Sequence, residues 1–133
     1  MDQTSAPAGG KRILITHSDT LLGQKLYDAL RRRHEVFRLE SHMRSAKVYT
    51  EPARLDRLFQ ELRPEVVFLL PGVPDADACE QDRERAFSEN VRYPRSLCRA
   101  CRDYGAKAVL LSSDRVFSGV GDRYPSDPIS PDC

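Results

Sequence analysis

The sequence predicts an α/β fold in which a parallel sheet carries helices on both faces. Short apolar runs alternate with helical stretches along the chain, the pattern of successive strand-helix-strand units. One run, Val66 to Leu70, is apolar at every position and is bounded by Pro64 and Pro71, as expected of a central strand buried on both faces. The 133 residues suit one domain rather than two, and a chain of this size buries roughly 68% of its unfolded surface without staples.

Each element has its own signal. Residues 1–10 read as a short flexible lead, and residues 11–133 as the domain. Lys11 to Thr16 is a short apolar run and the first strand. A helix is expected over 20–33, where Leu22, Leu26, Ala29 and Leu30 recur as one stripe; Ser18, Asp19 or Thr20 can cap its start. Glu35 to Leu39 alternates as a second strand, and a very short strand is expected at Val48 and Tyr49. Glu51 and Pro52 open a second helix whose stripe is Leu55, Leu58, Phe59 and Leu62. After the strand at Val66 comes a long helical stretch from Glu80 to Tyr104, with Pro94 as a kink or break and Gly105 as its C-cap. Ala108 to Ser112 is the last clear strand. Right-handed crossovers then give a Rossmann-like half.

Composition excludes several function classes. The chain is 40% hydrophobic and 31% charged, which suits a folded protein. Its net charge of +1 argues against a nucleic-acid partner, and residues 1–64 (12 basic, 8 acidic) differ too little from 65–133 (9 basic, 12 acidic) to imply any other. No apolar run approaches the roughly 18 residues that span a bilayer, so no membrane is expected and the protein is read as cytoplasmic. Cys79, Cys98, Cys101 and Cys133 do not make a disulfide framework.

In such folds ligands bind at the carboxyl ends of the strands, so those loops carry the information. The first runs from Thr16 through His17, Ser18, Asp19, Thr20, Leu21 and Leu22 to Gly23, and it resembles the T-G-x-x-G-x-x-G loop of extended short-chain dehydrogenases/reductases. Arg63 to Val67 looks like that family's R-P-D-V-V strand entry, Asp77 to Glu80 its D-x-x-E loop, and Asn90-Val91 the N-V/A stretch of its long helix. Ser112 to Gly119 resembles the S-T/S-D-Y-V-F-D-G signature of the dTDP-4-dehydrorhamnose reductase group, and Tyr124 to Pro131 its proline-rich loop. That group includes the regulatory β subunit of methionine adenosyltransferase.

The resemblance implies an NAD(P)-binding-type domain and NADPH-dependent reduction of a 4-keto sugar on a nucleotide. A tyrosine protonates the developing alkoxide, a lysine lowers its pKa and a Ser/Thr hydroxyl orients the carbonyl. Ser113 matches the Ser/Thr position. The Y-x-x-x-K motif follows later in the family, and Cys133 ends this sequence before it. The expected fold is therefore truncated before the later strands and the substrate-binding part, and this chain alone is not expected to catalyse reduction. A nucleotide-sugar partner requires that missing part. Otherwise a protein partner or a second copy of the chain is expected.

The cofactor implied is NADP or NAD, held by His17, Asp19, Thr20, Leu21, Leu22, Gly23, Arg38, Glu40, Leu70 and Pro71. The loop departs from the family at the glycines: His17 stands at the first, Thr20 at the second, and only Gly23, the packing glycine, remains. Asp19 beside the helix N-terminus is expected to compete with a pyrophosphate for that positive pole. Leu69, Leu70 and Pro71 replace the family's N-A-A, and Val48 lies where many relatives have an adenine-facing Asp. Arg38 and Arg44 can meet a 2′-phosphate, and Glu40 a ribose 2′-hydroxyl, so NAD against NADP stays open.

Other features have plainer readings. Cys98 and Cys101 lie inside a helical pattern with no second ligand pair and are expected to pack. His34 and His42 are isolated, and no metal site is expected. Arg31, Arg32 and Arg33 at a helix end favour its dipole.

Overall fold

The computed structural model describes residues 9–40, 51–70 and 72–113. The expected lead (except Gly9 and Gly10), the short strand at Val48 and Tyr49, and everything after Ser113 lie outside them.

Four parallel strands form one sheet. They are β1 (Arg12–Thr16), β2 (Glu35–Leu39), β3 (Val66–Leu69) and β4 (Lys107–Leu110), in the spatial order β2-β1-β3-β4. Leu14 lies opposite Phe37 on one side and Val67 on the other, so successive side chains of β1 fall on alternate faces in register with both neighbours. The helices are α1 (Leu21–Leu30), α2 (Pro52–Leu62), α3 (Ala76–Gln81), α4 (Arg83–Phe87) and α5 (Tyr93–Tyr104), with a π-helical turn at Ser88–Arg92.

The two faces have separate cores. On one, Leu14, Leu39, Val67 and Leu69 pack with Leu55 and Phe59 of α2 and with Tyr93, Leu97, Ala100 and Cys101 of α5. On the other, Ile13, Ile15 and Leu70 pack with Leu26, Tyr27 and Leu30 of α1. Helices thus cover both faces, as the sequence predicts. Val66 and Phe68 are only half-buried, not buried as expected of the continuous run, because among the described residues α1 alone supplies helical cover there.

The helix boundaries differ from expectation in ways that have causes. α1 is shorter than 20–33: Thr20 caps it, and Arg33 and His34 both donate to the Leu30 carbonyl, closing the chain into a turn. Its buried side is Gly23, Leu26, Tyr27 and Leu30, whereas Leu22 and Ala29 of the expected stripe are exposed. Gly23 meets the preceding turn, and this contact fixes the rotation of the helix about its axis. α2 matches expectation, with Pro52 in its first turn and Arg63 as a left-handed C-cap.

The stretch expected as one helix from Glu80 is three helices and a π turn. Asp75 accepts from the Ala78 amide at 2.8 Å and starts α3 earlier than expected. Asp82 leaves helical geometry (φ −134°, ψ 81°) and caps α4 by accepting from the Arg85 amide at 3.0 Å. In the π turn the Tyr93 amide reaches back five residues to the Ser88 carbonyl. Pro94 has no amide to give the Asn90 carbonyl, so the α-helical ladder is already broken where the π turn sits. Gly105 (φ 71°) ends α5 as expected.

Candidate functional site

The strand order reverses between β1 and β3: from β1 the chain goes to β2 on one side and later to β3 on the other. The crevice at the carboxyl ends of these two strands is where an open α/β sheet binds ligands. Most of the residues expected to hold a cofactor gather there.

Thr16 ties the two strand ends together, its Oγ1 accepting from the Leu70 amide at 3.0 Å. His17 then takes a left-handed backbone conformation (φ 50°). Its imidazole is 1% exposed and turns into the protein. Nδ1 is 3.3 Å from Thr16 Oγ1, Nε2 is 3.8 Å from a Glu89 carboxylate oxygen, and the ring stands edge-on to Tyr93 at 5.7 Å. His17 therefore occupies the glycine position without placing its ring in the crevice. Gly72 covers it: a Cβ there would come within 3.1 Å of His17 Nε2 and 2.9 Å of Glu89 Cβ.

The turn into α1 is closed by Thr20, one of the three candidate caps. Its hydroxyl donates to the His17 carbonyl at 2.7 Å and accepts from the Gly23 amide at 3.1 Å. Gly23 has no room for a side chain, since a Cβ would stand 2.5 Å from the His17 oxygen and 2.6 Å from Ser18 Cα. Asp19 is exposed, and its carbonyl accepts from the Gln24 side chain at 3.1 Å. Leu21 and Leu22 are exposed at the start of the helix. The first-turn amides and the positive end of the macrodipole thus face the crevice, less the Gly23 amide that Thr20 has taken.

Arg38 reaches this turn from β2. It donates to the Ser18 carbonyl at 3.3 Å, lies over the Tyr27 ring at 5.0 Å, and is 3.6 Å from the Glu40 carboxylate. Ser113 is at the same end of the sheet, past β4 and exposed. Pro71, Arg44 and Val48 lie outside the described residues.

The sequence reading did not place the π turn among the site residues. Asn90 grips the loop after β3 at two points: its Oδ1 accepts from the Val73 amide at 3.0 Å and its Nδ2 donates to the Val73 carbonyl at 3.0 Å. Asn90, Glu89 and Tyr93 thereby seat this loop over His17. The signal in the sequence was Pro94 four residues after Asn90.

Cys98 and Cys101 pack α5 against the sheet. Burial, with Cys98 alongside, pushes the Cys101 thiol up to about 11, which keeps it protonated and unreactive. Among the described residues no group of three or more His, Cys, Asp or Glu could hold a metal, and no helix is long and apolar enough to cross a membrane.

Comparisons with known proteins agree with this layout. The dTDP-4-dehydrorhamnose reductase of Streptomyces griseus is 32% identical over 118 residues, covering 89% of this chain and 38% of its own length. The methionine adenosyltransferase 2 subunit beta of Xenopus tropicalis is 28% identical over 125 residues, covering 90% of this chain and 37% of its own. The crystal structure of a dTDP-4-dehydrorhamnose reductase from Bacillus anthracis in complex with NADP superimposes with a TM-score of 0.76 at 24% identity, over 88% of this chain and 41% of that one. The chain thus spans less than half the length of these relatives. The family model of the RmlD substrate binding domain matches residues 11–132, nearly the whole chain, and the chain belongs to that family.

Proposed function

We propose that this chain is the N-terminal, nucleotide-binding part of an NAD(P)-dependent sugar-nucleotide reductase of the dTDP-4-dehydrorhamnose reductase type, and that alone it binds the cofactor without catalysing reduction. The observation that carries this reading is the contact of Gly23 with His17 and Ser18 at the switch point, which sets the N-terminus of α1 directly over the end of β1.

The residues present fit a dinucleotide. The amides of Leu21 and Leu22 supply donors for a pyrophosphate, and the His17 ring is folded away from it. Arg38 offers a cation to a ribose phosphate, and Glu40 an acceptor to a ribose hydroxyl. Leu70 borders the crevice beside Thr16. When bound, the dinucleotide supplies a hydride. Ser113 would orient a carbonyl by its hydroxyl, but the family's tyrosine and lysine pair is needed as well to move the proton. The cytosol is the expected location.

A second reading has its own support: a non-catalytic module that acts through a protein partner or a second copy. Thr20 uses the Gly23 amide internally, which removes one donor from the seat, and a methionine adenosyltransferase 2 subunit beta is among the relatives.

Thermal melts with NADPH and NADH, run beside a turnover assay on a dTDP-4-keto sugar, separate the two readings. The first predicts a rise in melting temperature that saturates, corresponding to about 2.7 kcal/mol at a hundredfold excess over Kd, with no turnover. No shift at millimolar cofactor would favour the second.

A further inference from the structure

His17 does more than fill the first glycine position of the turn. Its buried ring meets groups from β1, the π turn and α5. Thr16 Oγ1 is 3.3 Å from Nδ1, a Glu89 carboxylate oxygen is 3.8 Å from Nε2, and the Tyr93 ring stands edge-on. Gly72, just past β3, lies against both members of the His17–Glu89 pair. A Cβ on it would come within 3.1 Å of Nε2 and 2.9 Å of Glu89 Cβ. The next residue, Val73, is held by both ends of the side-chain amide of Asn90, the neighbour of Glu89. The backbone at Gly72 and Val73 is therefore seated on the ring and the carboxylate together.

The hydrogen bonding around the ring suits two protonation states. The Leu70 amide donates to Thr16 Oγ1 at 3.0 Å, which leaves the hydroxyl one proton and one lone pair. Toward a neutral ring Thr16 donates that proton to Nδ1, and Nε2 then carries the ring proton. Toward a charged ring it turns its lone pair to Nδ1–H. Nε2–H faces Glu89 in both states. At 3.8 Å the two groups are beyond hydrogen-bond range, so their attraction depends on the charge of the ring.

The other ionisable groups around this corner are engaged elsewhere or face solvent. Arg38 of β2 bonds the Ser18 carbonyl and lies 3.6 Å from Glu40. Arg92 of the π turn pairs with Glu84 at 2.7 Å. The Cys79 thiol of α3 lies 3.5 Å from the Val73 carbonyl, Asp75 caps α3, and Asp19 is exposed. Among the described residues, Glu89 is the carboxylate that meets the ring.

We propose that His17 is a positioning residue whose proton locks Gly72 and Val73 against the end of β1. Charged, the ring draws in Glu89 and holds this segment closed at the rim of the crevice; neutral, it lets the segment loosen. The charged ring also adds a positive charge beside the turn into α1. Nucleotide binding at that turn and protonation of His17 then favour each other. This coupling rests on the cofactor reading above, whereas the lock itself does not.

The test is NMR of the 133-residue chain between about pH 5 and 8.5, the range in which histidine changes charge, reading the His17 ring and the amides of Gly72 and Val73. The expected result is one midpoint shared by the ring and both amides. Glu89→Gln should lower that midpoint by about one unit, a roughly tenfold loss of proton affinity. Glu84→Gln, an exposed carboxylate on α4, should leave it unchanged. A ring that keeps one protonation state, an equal midpoint in Glu89→Gln, or amides that ignore the titration of the ring would each overturn the lock. Repeating the titration with NADPH tests the coupling: a raised midpoint is expected, and NADPH bound with the midpoint unmoved would overturn it. No NADPH binding at any pH would fail the cofactor reading instead, while the titration of the free chain still decides the lock.

Discussion

Gly23 and Ser18 touch backbone to backbone: a Cβ on Gly23 would stand 2.6 Å from Ser18 Cα. Helix propensity alone favours alanine over glycine by about 1 kcal/mol. The overlap must outweigh that gain, because the neighbours are main-chain atoms that cannot rotate away. Gly23→Ala is therefore expected to destabilise the chain by about 1–3 kcal/mol in urea unfolding. A neutral or stabilising result would mean that α1 does not sit this close to the end of β1.

At His17 two effects oppose each other, and two variants separate them. His17→Gly relieves the left-handed backbone but empties the space between Thr16, Gly72, Glu89 and Tyr93. His17→Ala empties the same space and keeps the strain. Both are expected to be less stable than the parent, with alanine below glycine by about 1–2 kcal/mol in urea unfolding. Equal stability of the two variants would contradict the backbone assignment.

The proposed function assigns the cofactor preference to Arg38. Under the proposed function, Arg38→Ala should weaken NADPH binding roughly tenfold or more, as expected when a charged hydrogen bond is lost, and NADH binding much less. Glu40→Gln, which removes the carboxylate 3.6 Å from Arg38, should strengthen NADPH binding. Calorimetric titration of both variants with both cofactors checks the pair.

Glu65 makes stability depend on pH. The Arg12 amide and the Lys11 ammonium hold its carboxyl below the usual range. A lowered folded-state value stabilises the fold above the unfolded value, about pH 4.3, and that contribution is lost as pH falls through the folded-state value. The stability difference between the parent and Glu65→Gln should be full at neutral pH and vanish in acid. A difference that persists at low pH would show that Glu65 acts by shape rather than charge.

Cys101 titrates in the opposite sense. With its thiol pushed up to about 11, its contribution to stability is full below the unfolded value, about pH 8.5, and is lost as pH rises toward 11. Native alkylation at pH 8 should leave Cys101 unmodified, and denaturant should expose it. Rapid native alkylation, read by peptide mass, would contradict its burial under α5.

Much of the fold is legible in the sequence because local signals and packing agree. Leu55 and Phe59 fall on the buried side of α2, and Gly105 ends α5. The failures are instructive. Leu22 fits the apolar period of α1 but is 47% exposed, because the Gly23 contact, not the stripe, sets the helix rotation. Asp82 reads as one more polar residue on a helix, yet its side chain starts a new one. At the site, the lost glycines are visible in the sequence, but the direction of the His17 ring is not. That direction depends on Gly72, Glu89 and Tyr93, which come together only through the fold.

Amide-resolved NMR during an NADPH titration tests the central claim most directly. The account predicts saturable shifts concentrated at the amides of Leu21, Leu22 and Gly23, with smaller ones at Ser18 and Leu70. No shift at millimolar NADPH, or saturable shifts confined to residues away from Leu21, Leu22 and Gly23, would show that the turn between β1 and α1 is not a cofactor seat.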